Sequence, residues 1–250
     1  MICKDNSVPL HKQVEAILND LITNKLKPDE RIPSERELCK MYGLSRTTIR
    51  QAINKEVTEG NLYRIQGKGT FVAKPKIYQE LFKMSSFKET IIARGMEPKV
   101  KIYSSDFLVA TLQTATLLHI TPEEEILKMV LVGFADAEPI VLYKSYLPAN
   151  LGRLTLKEAQ KYEARNEAFS SFELYKSCCD IEPYYTNQTF EAILPNDFCS
   201  EVLRISKTQP VFKVTSIIYT QDNSPIEYKE AYYRGDKFKF NISRQHTIKP

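Results

Sequence analysis

The chain has 250 residues, enough for two domains of unequal size, and 42% of them are hydrophobic, ample for two cores. Residues 1–76 carry 14 lysines and arginines against 9 acidic side chains, a net of +5, whereas the remainder carries 21 against 22, a net of −1, so the positive charge is segregated. No apolar run reaches 18 residues and MICKDNSVPL is neither a signal core nor an Arg-rich presequence, which predicts a cytoplasmic protein without a membrane span.

Pro9 to Leu26 reads as a first helix, with Val14, Ile17, Leu18, Leu21 and Ile22 on one apolar face and Pro9 suited to the first turn. Lys27 to Pro33 is a polar, proline-bounded connection. Ser34 and Glu37 then form a capping-box pattern, which starts a short helix that Gly43 closes. Ser45 can cap a further helix two residues later, and two helices joined by so short a Gly-containing turn read as a helix-turn-helix.

On that further helix Ile49, Ala52, Ile53 and Val57 recur at packing positions, while Thr47, Arg50, Gln51 and Asn54 fall on the opposite side. Such a face fits a major groove, with Arg46 and Arg50 as base-reading candidates. Ser45, Thr47 and Thr48 crowd the helix start, where hydroxyls and free amides suit a phosphate. Taken alone, the pair also describes an ordinary solvated helix. The next residues add a wing: Asn61–Ile65 and Thr70–Ala73 as short strands, with Gln66-Gly67-Lys68-Gly69 as a tight turn and Lys68 at its tip. No long helix follows Gly69, so Gly-x-Gly is not read as a phosphate loop.

PLHKQV, RIPSEREL, GLSRTTIRQA and QGKGTFV, in that order between Pro9 and Val72, resemble the winged helix-turn-helix of the GntR family of bacterial transcription regulators. The resemblance implies DNA contacts at Arg36, Ser45, Arg46, Thr47, Thr48, Arg50, Gln66, Gly67 and Lys68. Asn61 departs from it, standing where the family usually has an apolar residue.

Lys74-Pro75-Lys76 disfavours continuous secondary structure and marks a boundary: residues 1–75 as the DNA-binding domain, 76–80 as linker and 81–250 as a second domain. That second domain holds an internal repeat. EEILKMVLVGFADAEPIVLYKSYLP resembles QPVFKVTSIIYTQDNSPIEYKEAYYR about 86 residues later, aligning Asp136 with Asp222, Pro139 with Pro225, Ile140 with Ile226 and Tyr146 with Tyr232. Each hairpin follows a strand and a helix: Val100–Val109 with Thr111–His119, and Thr186–Leu194 with Asn196–Ile205. Two such units predict a pseudo-twofold antiparallel sheet with helices on one face, an α+β fold. Asn166–Cys178 reads as an inserted amphipathic helix offering Phe169, Phe172 and Leu174 to the core.

SSFKETIIARGMEPK, ADAEPI, NSPIEY and YYRGDKFKF resemble the UTRA effector-binding domain of the HutC branch of the GntR family, which implies a chorismate-lyase-like fold. That resemblance implies effector contacts at Ser85, Ser86 and Phe87, at Glu227 and Tyr233, and at Ser170 and Phe172. Physically, Ser86 is equally a helix cap. Members that bind phosphosugars carry Arg-x-Arg where this chain has Leu131 and Gly133, and a carboxylate where it has Tyr143. Losing both guanidiniums removes the residues best shaped to clamp phosphate, leaving Arg94, Arg153, Lys128 and Lys144 as candidate replacements.

Five cysteines, at 3, 39, 178, 179 and 199, show no CxxC or His-containing metal spacing, so no metal or cofactor is expected. Cys178 and Cys179 are either packing residues or an oxidation sensor. His119 is read as structural. The expected function is a homodimeric transcriptional repressor, released from a double-stranded palindromic operator by a small-molecule effector: a sugar, sugar phosphate or small organic acid. An activator or a retained lyase-like enzyme are the alternatives.

Overall fold

The structure, a computed structural model, describes residues 10–74, 76–80 and 87–241, and the chain divides into two units, Met1–Pro75 and Lys76–Pro250. In the first unit the apolar stripe of α1, Leu10–Asp20, buries Val14 and Leu18, and the helix runs on as a π-helical turn, Leu21–Lys25. Pro9 lies outside the described residues. Helix α2, Glu35–Tyr42, opens on the capping box: Ser34 Oγ accepts from Glu37 N at 3.3 Å, and Ser34 N donates to Glu37 at 2.7 Å. Gly43, at φ 65°, closes it. Helix α3, Arg46–Glu59, buries Ile49, Ala52 and Ile53 against Leu18, Leu38 and Leu62. Strands β1, Leu62–Ile65, and β2, Gly69–Val72, form the wing, and Arg31 bridges to Phe71 as a third short edge.

Glu56 of α3 is a charge in this core. It is fully buried, Asn61 Nδ2 donates to its Oε2 at 2.8 Å, and its Oε1 has no partner among the described residues. Burial pushes its carboxyl above the ordinary range, and the Asn61 hydrogen bond offsets that only in part. Asn61, the departure from the family pattern, is therefore the partner of a buried acid.

The second unit is built on a six-stranded antiparallel sheet in the order β4-β5-β6-β9-β8-β7. One repeat supplies β4 (Pro98–Val109), α5 (Leu112–Leu118), β5 (Glu125–Ala135) and β6 (Glu138–Pro148); the other supplies β7 (Tyr185–Ile193), α8 (Asp197–Leu203), β8 (Val211–Tyr219) and β9 (Pro225–Arg234). Each repeat helix is capped by a side chain, Thr111 or Asn196, and closed by a left-handed residue, His119 or Arg204. Lys144 lies opposite Glu230 in the β6–β9 pair, and the two are equivalent positions of the repeat, so the pseudo-twofold passes between them.

Four expectations need correction. Helices cover both faces of the sheet, not one. Helices α5 and α8 pack on the face carrying Ile126, Val130 and Val132, while Leu127, Met129 and Leu131 meet α6 (Ala149–Ala164) and α7 (Ser171–Cys179). Helix α6 was not foreseen, although Leu151, Thr155 and Ala159 mark its buried side at helical spacing. The inserted helix starts later than expected, at Ser171, because Ser170 and Glu173 form a second capping box. Residues 76–80 are not a free linker: Ile77–Glu80 forms β3, paired in parallel with β10 (Phe238–Asn241) and anchored by buried Ile77 and Phe238. Helix α4, Phe87–Ile92, lies between β3 and β4 in the chain and packs its Ile91 with Ile77 and Phe238.

Gly152 lets α6 settle onto β5: a Cβ there would stand 2.5 Å from Leu127 Cβ. Gly152→Ala is therefore expected to destabilise the protein by about 1–3 kcal/mol in chemical denaturation despite alanine's better helix propensity, because a Cβ–Cβ clash cannot be relieved by rotation. A carboxyl whose folded pKa is raised loses stability as pH rises through that pKa. Glu56→Gln should accordingly melt higher than the natural protein at about pH 7, with the gap narrowing as the pH is lowered and Glu56 takes up its proton.

Candidate DNA interface and effector site

Ser45 sets the geometry of the reading helix. Its Oγ accepts from Thr48 N at 3.2 Å and lies 2.9 Å from Thr48 Oγ1, leaving Arg46 and Thr47 exposed in the first turn. Arg50, Gln51 and Asn54 follow on the same exposed side, and Arg36 is exposed on α2. Thr48 is half-buried, its hydroxyl engaged by the cap. At the wing tip Gln66, Gly67 and Lys68 are exposed, and Lys68 N donates to Ile65 O at 3.0 Å. Gly67 at φ 74° and Gly69 at φ 127° hold the backbone where only glycine sits without strain.

Other residues brace the wing. Tyr63 stacks on Phe71 with ring centres 5.6 Å apart and donates to Asp29 at 2.9 Å, while Arg64 reaches Glu35 at 3.6 Å. Arg31 was missed by the sequence reading. A Cβ on Gly69 would stand 2.7 Å from its Nε, so the guanidinium lies across the base of the wing. Only the tertiary pairing of Arg31 with Phe71 puts it there.

On the α6/α7 face of the second unit, β9 presents Glu227, Lys229, Ala231 and Tyr233 by strand alternation, opposite Ser145, Tyr143 and Val141 of β6. Glu227 is fully buried. Ser171 Oγ donates to its Oε1 at 3.1 Å, and Lys229 Nζ lies 3.0 Å from Ser171 Oγ and 3.4 Å from Glu227 Oε2. Tyr175 is buried beside them; burial, then the Glu227 carboxylate, pushes its phenol well above its ordinary pKa. Glu227 and Tyr233 are six residues apart, about 20 Å along the strand. At the Tyr233 end an aromatic wall forms, with Tyr143 6.1 Å from Tyr233 and Phe87 6.5 Å from Tyr143, edge to face. Burial, reinforced by Tyr233, holds the Tyr143 phenol well above its ordinary pKa, so it remains a donor at neutral pH.

Several expected contacts take different places. Ser85 and Ser86 lie outside the described residues. Ser170 spends its hydroxyl on the α7 cap, accepting from Glu173 N at 3.3 Å and donating to Glu173 Oε2 at 2.8 Å. Its neighbour Ser171 meets Glu227, which the S-x-x-E cap signal could have indicated by placing Ser170 before the helix. Phe172 is half-buried against the core. Gly133 and Leu131 hold no cation: Leu131 is core, and a Cβ on Gly133 would stand 2.9 Å from Phe87 Cζ, so the Phe87 ring covers that position.

The candidate replacements do not converge there either. Lys128 and Lys144 project from the opposite face, where Lys144 lies over the rings of Phe198 and Tyr232. Arg153 pairs with Glu125 and covers Phe107, and Arg94 donates to Thr90 O at 3.0 Å. Lys229 was missed because nothing local marks it. His119 is exposed and closes α5. The Cys178 and Cys179 sulfurs lie 3.0 Å apart, and burial, with the neighbouring thiol, pushes Cys179 up to about 12, which keeps it a thiol. Among the described residues no group of three or more His, Cys, Asp or Glu side chains could hold a metal ion.

Comparison with known proteins agrees with this architecture. Residues 10–72 match the family of bacterial regulatory proteins, gntR family, and residues 93–239 match the UTRA domain. The HTH-type transcriptional repressor NagR of Bacillus subtilis (strain 168) is 32% identical over 240 residues, 96% of each chain. The mannosyl-D-glycerate transport/metabolism system repressor MngR of Escherichia coli (strain K12) is 27% identical, over 95% of this chain and 96% of its own. The crystal structure of PhnF from Mycobacterium smegmatis superposes with a TM-score of 0.65 at 26% identity, covering 94% of this chain and all of PhnF. With a capped reading helix and wing in one unit and a repeat-built sheet in the other, the chain belongs to the GntR family of DNA-binding transcription regulators that carry a UTRA domain, and is not an enzyme.

Proposed function

We propose that the protein is a homodimeric repressor that holds a palindromic operator in the cytoplasm and releases it when a small molecule occupies the α6/α7 face of its C-terminal sheet. The observation that carries this reading is the exposed face of α3. Arg46, Thr47, Arg50, Gln51 and Asn54 stand in water with no salt-bridge ladder across them among the described residues, within a stretch, residues 1–76, of net charge +5. Arg46 and Arg50 read bases; Ser45, Thr47 and the α3 amide end take phosphate; Gln66, Gly67 and Lys68 follow the groove with the wing; Arg36 and Arg31 add backbone contacts.

The relatives support the sign of regulation and the effector class. Besides NagR and MngR, a relative at 26% identity in Escherichia coli (strain K12) bears the name of a probable fructoselysine utilization operon transcriptional repressor. A sugar-derived effector fits a face that offers a carboxylate, a lysine and protonated phenols. Ser85, Ser86, Phe87, Phe172, Glu227 and Tyr233 are the effector contacts in this reading, with Ser171 in the role first given to Ser170. Swinging the operator-competent state from 99:1 to 1:99 requires about 5.5 kcal/mol of differential affinity, shared between the two effector sites of a dimer.

Gel-shift titration tests the DNA half. A palindromic site with half-sites about one turn, 10–10.5 bp, apart should be bound as one dimer, with a single half-site at least about tenfold weaker; equal affinity for both would count against a dimer reader. Arg50→Ala should lose about 1–3 kcal/mol of discrimination at one base pair while retaining non-specific binding. Lys68→Ala should instead weaken every sequence alike and reduce the salt slope by about 1.

A further inference from the structure

The Glu227–Lys229 pair is an unusual object for the middle of a core. Side-chain exposure is 1% for Glu227 and 17% for Lys229, and Met129, Leu174 and Tyr175 around them are buried. Directly across from Lys229 on β6 stands Ser145, 1% exposed, whose Oγ has no hydrogen-bond partner among the described residues. A buried hydroxyl with nothing to bond is costly unless something fills its place. Its neighbours here are a lysine and a carboxylate already bridged by Ser171.

Charge balance narrows what can enter. By strand register, Lys229 is the only cationic residue on this face of the six-stranded sheet among the described residues. With Glu227 ionised the pair is neutral. A phosphate dianion would leave buried negative charge with no guanidinium to meet it, since Leu131 is core and Phe87 covers Gly133. A bare carboxylate leaves one uncompensated charge. A molecule carrying both an ammonium and a carboxylate keeps the site neutral and exchanges one internal ion pair for two intermolecular ones.

We infer that the effector is a zwitterion of amino-acid type: its carboxylate seats on Lys229 Nζ and Ser145 Oγ, and its ammonium sits against Glu227. This rests on the reading of that face as the effector site. The rest of the molecule lies along β9 towards half-buried Tyr143 and buried Tyr233, whose phenols suit a hydroxylated tail. Lys229 thus sets the effector class where the arginine positions no longer do.

A thermal-shift screen of the full chain tests it, using amino acids and sugar–amino acid conjugates, aldonic acids, amino sugars, hexose phosphates and neutral hexoses. The zwitterions are expected to raise the melting temperature most. Lys229→Met should then weaken the best zwitterion about tenfold or more, Lys229→Arg should restore most of that affinity, and Ser145→Ala, which removes only an unbonded hydroxyl, should weaken it about threefold. A strongest hit among hexose phosphates, neutral hexoses, amino sugars or aldonic acids overturns the zwitterion assignment and leaves the effector reading standing. Undiminished zwitterion affinity in both Lys229→Met and Ser145→Ala does the same. No shift with any class overturns the effector reading itself.

Discussion

The C-terminal unit depends on one register, that of β6 against β9. Lys144 faces Glu230, the point where the two repeats meet, and every side chain on these strands is assigned to a face by that pairing. It sends Tyr143, Ser145, Glu227 and Lys229 towards α6 and α7, with Tyr233 on the same face under β3, α4 and β10, and Lys144, Tyr228, Glu230 and Tyr232 towards α5 and α8. A slip of one residue would exchange the two sets, because the side-chain period of a strand is two. The apolar rows of β5 oppose such a slip, since Leu127, Met129 and Leu131 must meet α6 and α7 while Ile126, Val130 and Val132 meet the repeat helices.

The two faces treat their buried charges differently. On the repeat-helix side Glu230 accepts from Tyr228 at 3.1 Å and Tyr232 at 3.0 Å and pairs with Lys213 at 3.1 Å. Burial would raise its carboxyl, but Lys213 and Tyr232 outweigh burial and hold it below the ordinary range. That network is satisfied and structural. On the insertion side the Ser145 hydroxyl has no partner among the described residues, and Lys229 shares Glu227 with Ser171. The difference follows the architecture: the repeat helices cover one face twice over, while the other is covered by elements without a repeat partner, α6 and α7 over Leu127, Met129 and Leu131 and α4, β3 and β10 over Val141, Ala231 and Tyr233.

In the DNA-binding unit, function follows from local rules. Two serine caps fix where α2 and α3 begin, glycines at φ 65° and 77° fix where they end, and the helical period then decides which side of α3 is dry. The buried side pays one toll, the charge of Glu56, met in part by Asn61. Asn61 is thus explained by its neighbour in space and not by the apolar habit of its position.

Much was therefore legible from the residues alone: the caps, the wing turn, the exposed reading face, the repeat with its strand–helix–strand–strand order, and Glu227 and Tyr233 on one strand face. These depend on spacing within about ten residues, or on likeness between two stretches of one chain, and both are written along the sequence. Only the folded chain decided the rest. It brought Arg31 to the wing, closed β3 on β10 across some 160 residues, laid Phe87 over Gly133, and stood Ser171, Ser145 and Lys229 around Glu227. Each of those is a contact between distant segments, set by sheet register and by which helix covers which face, and no local period encodes it.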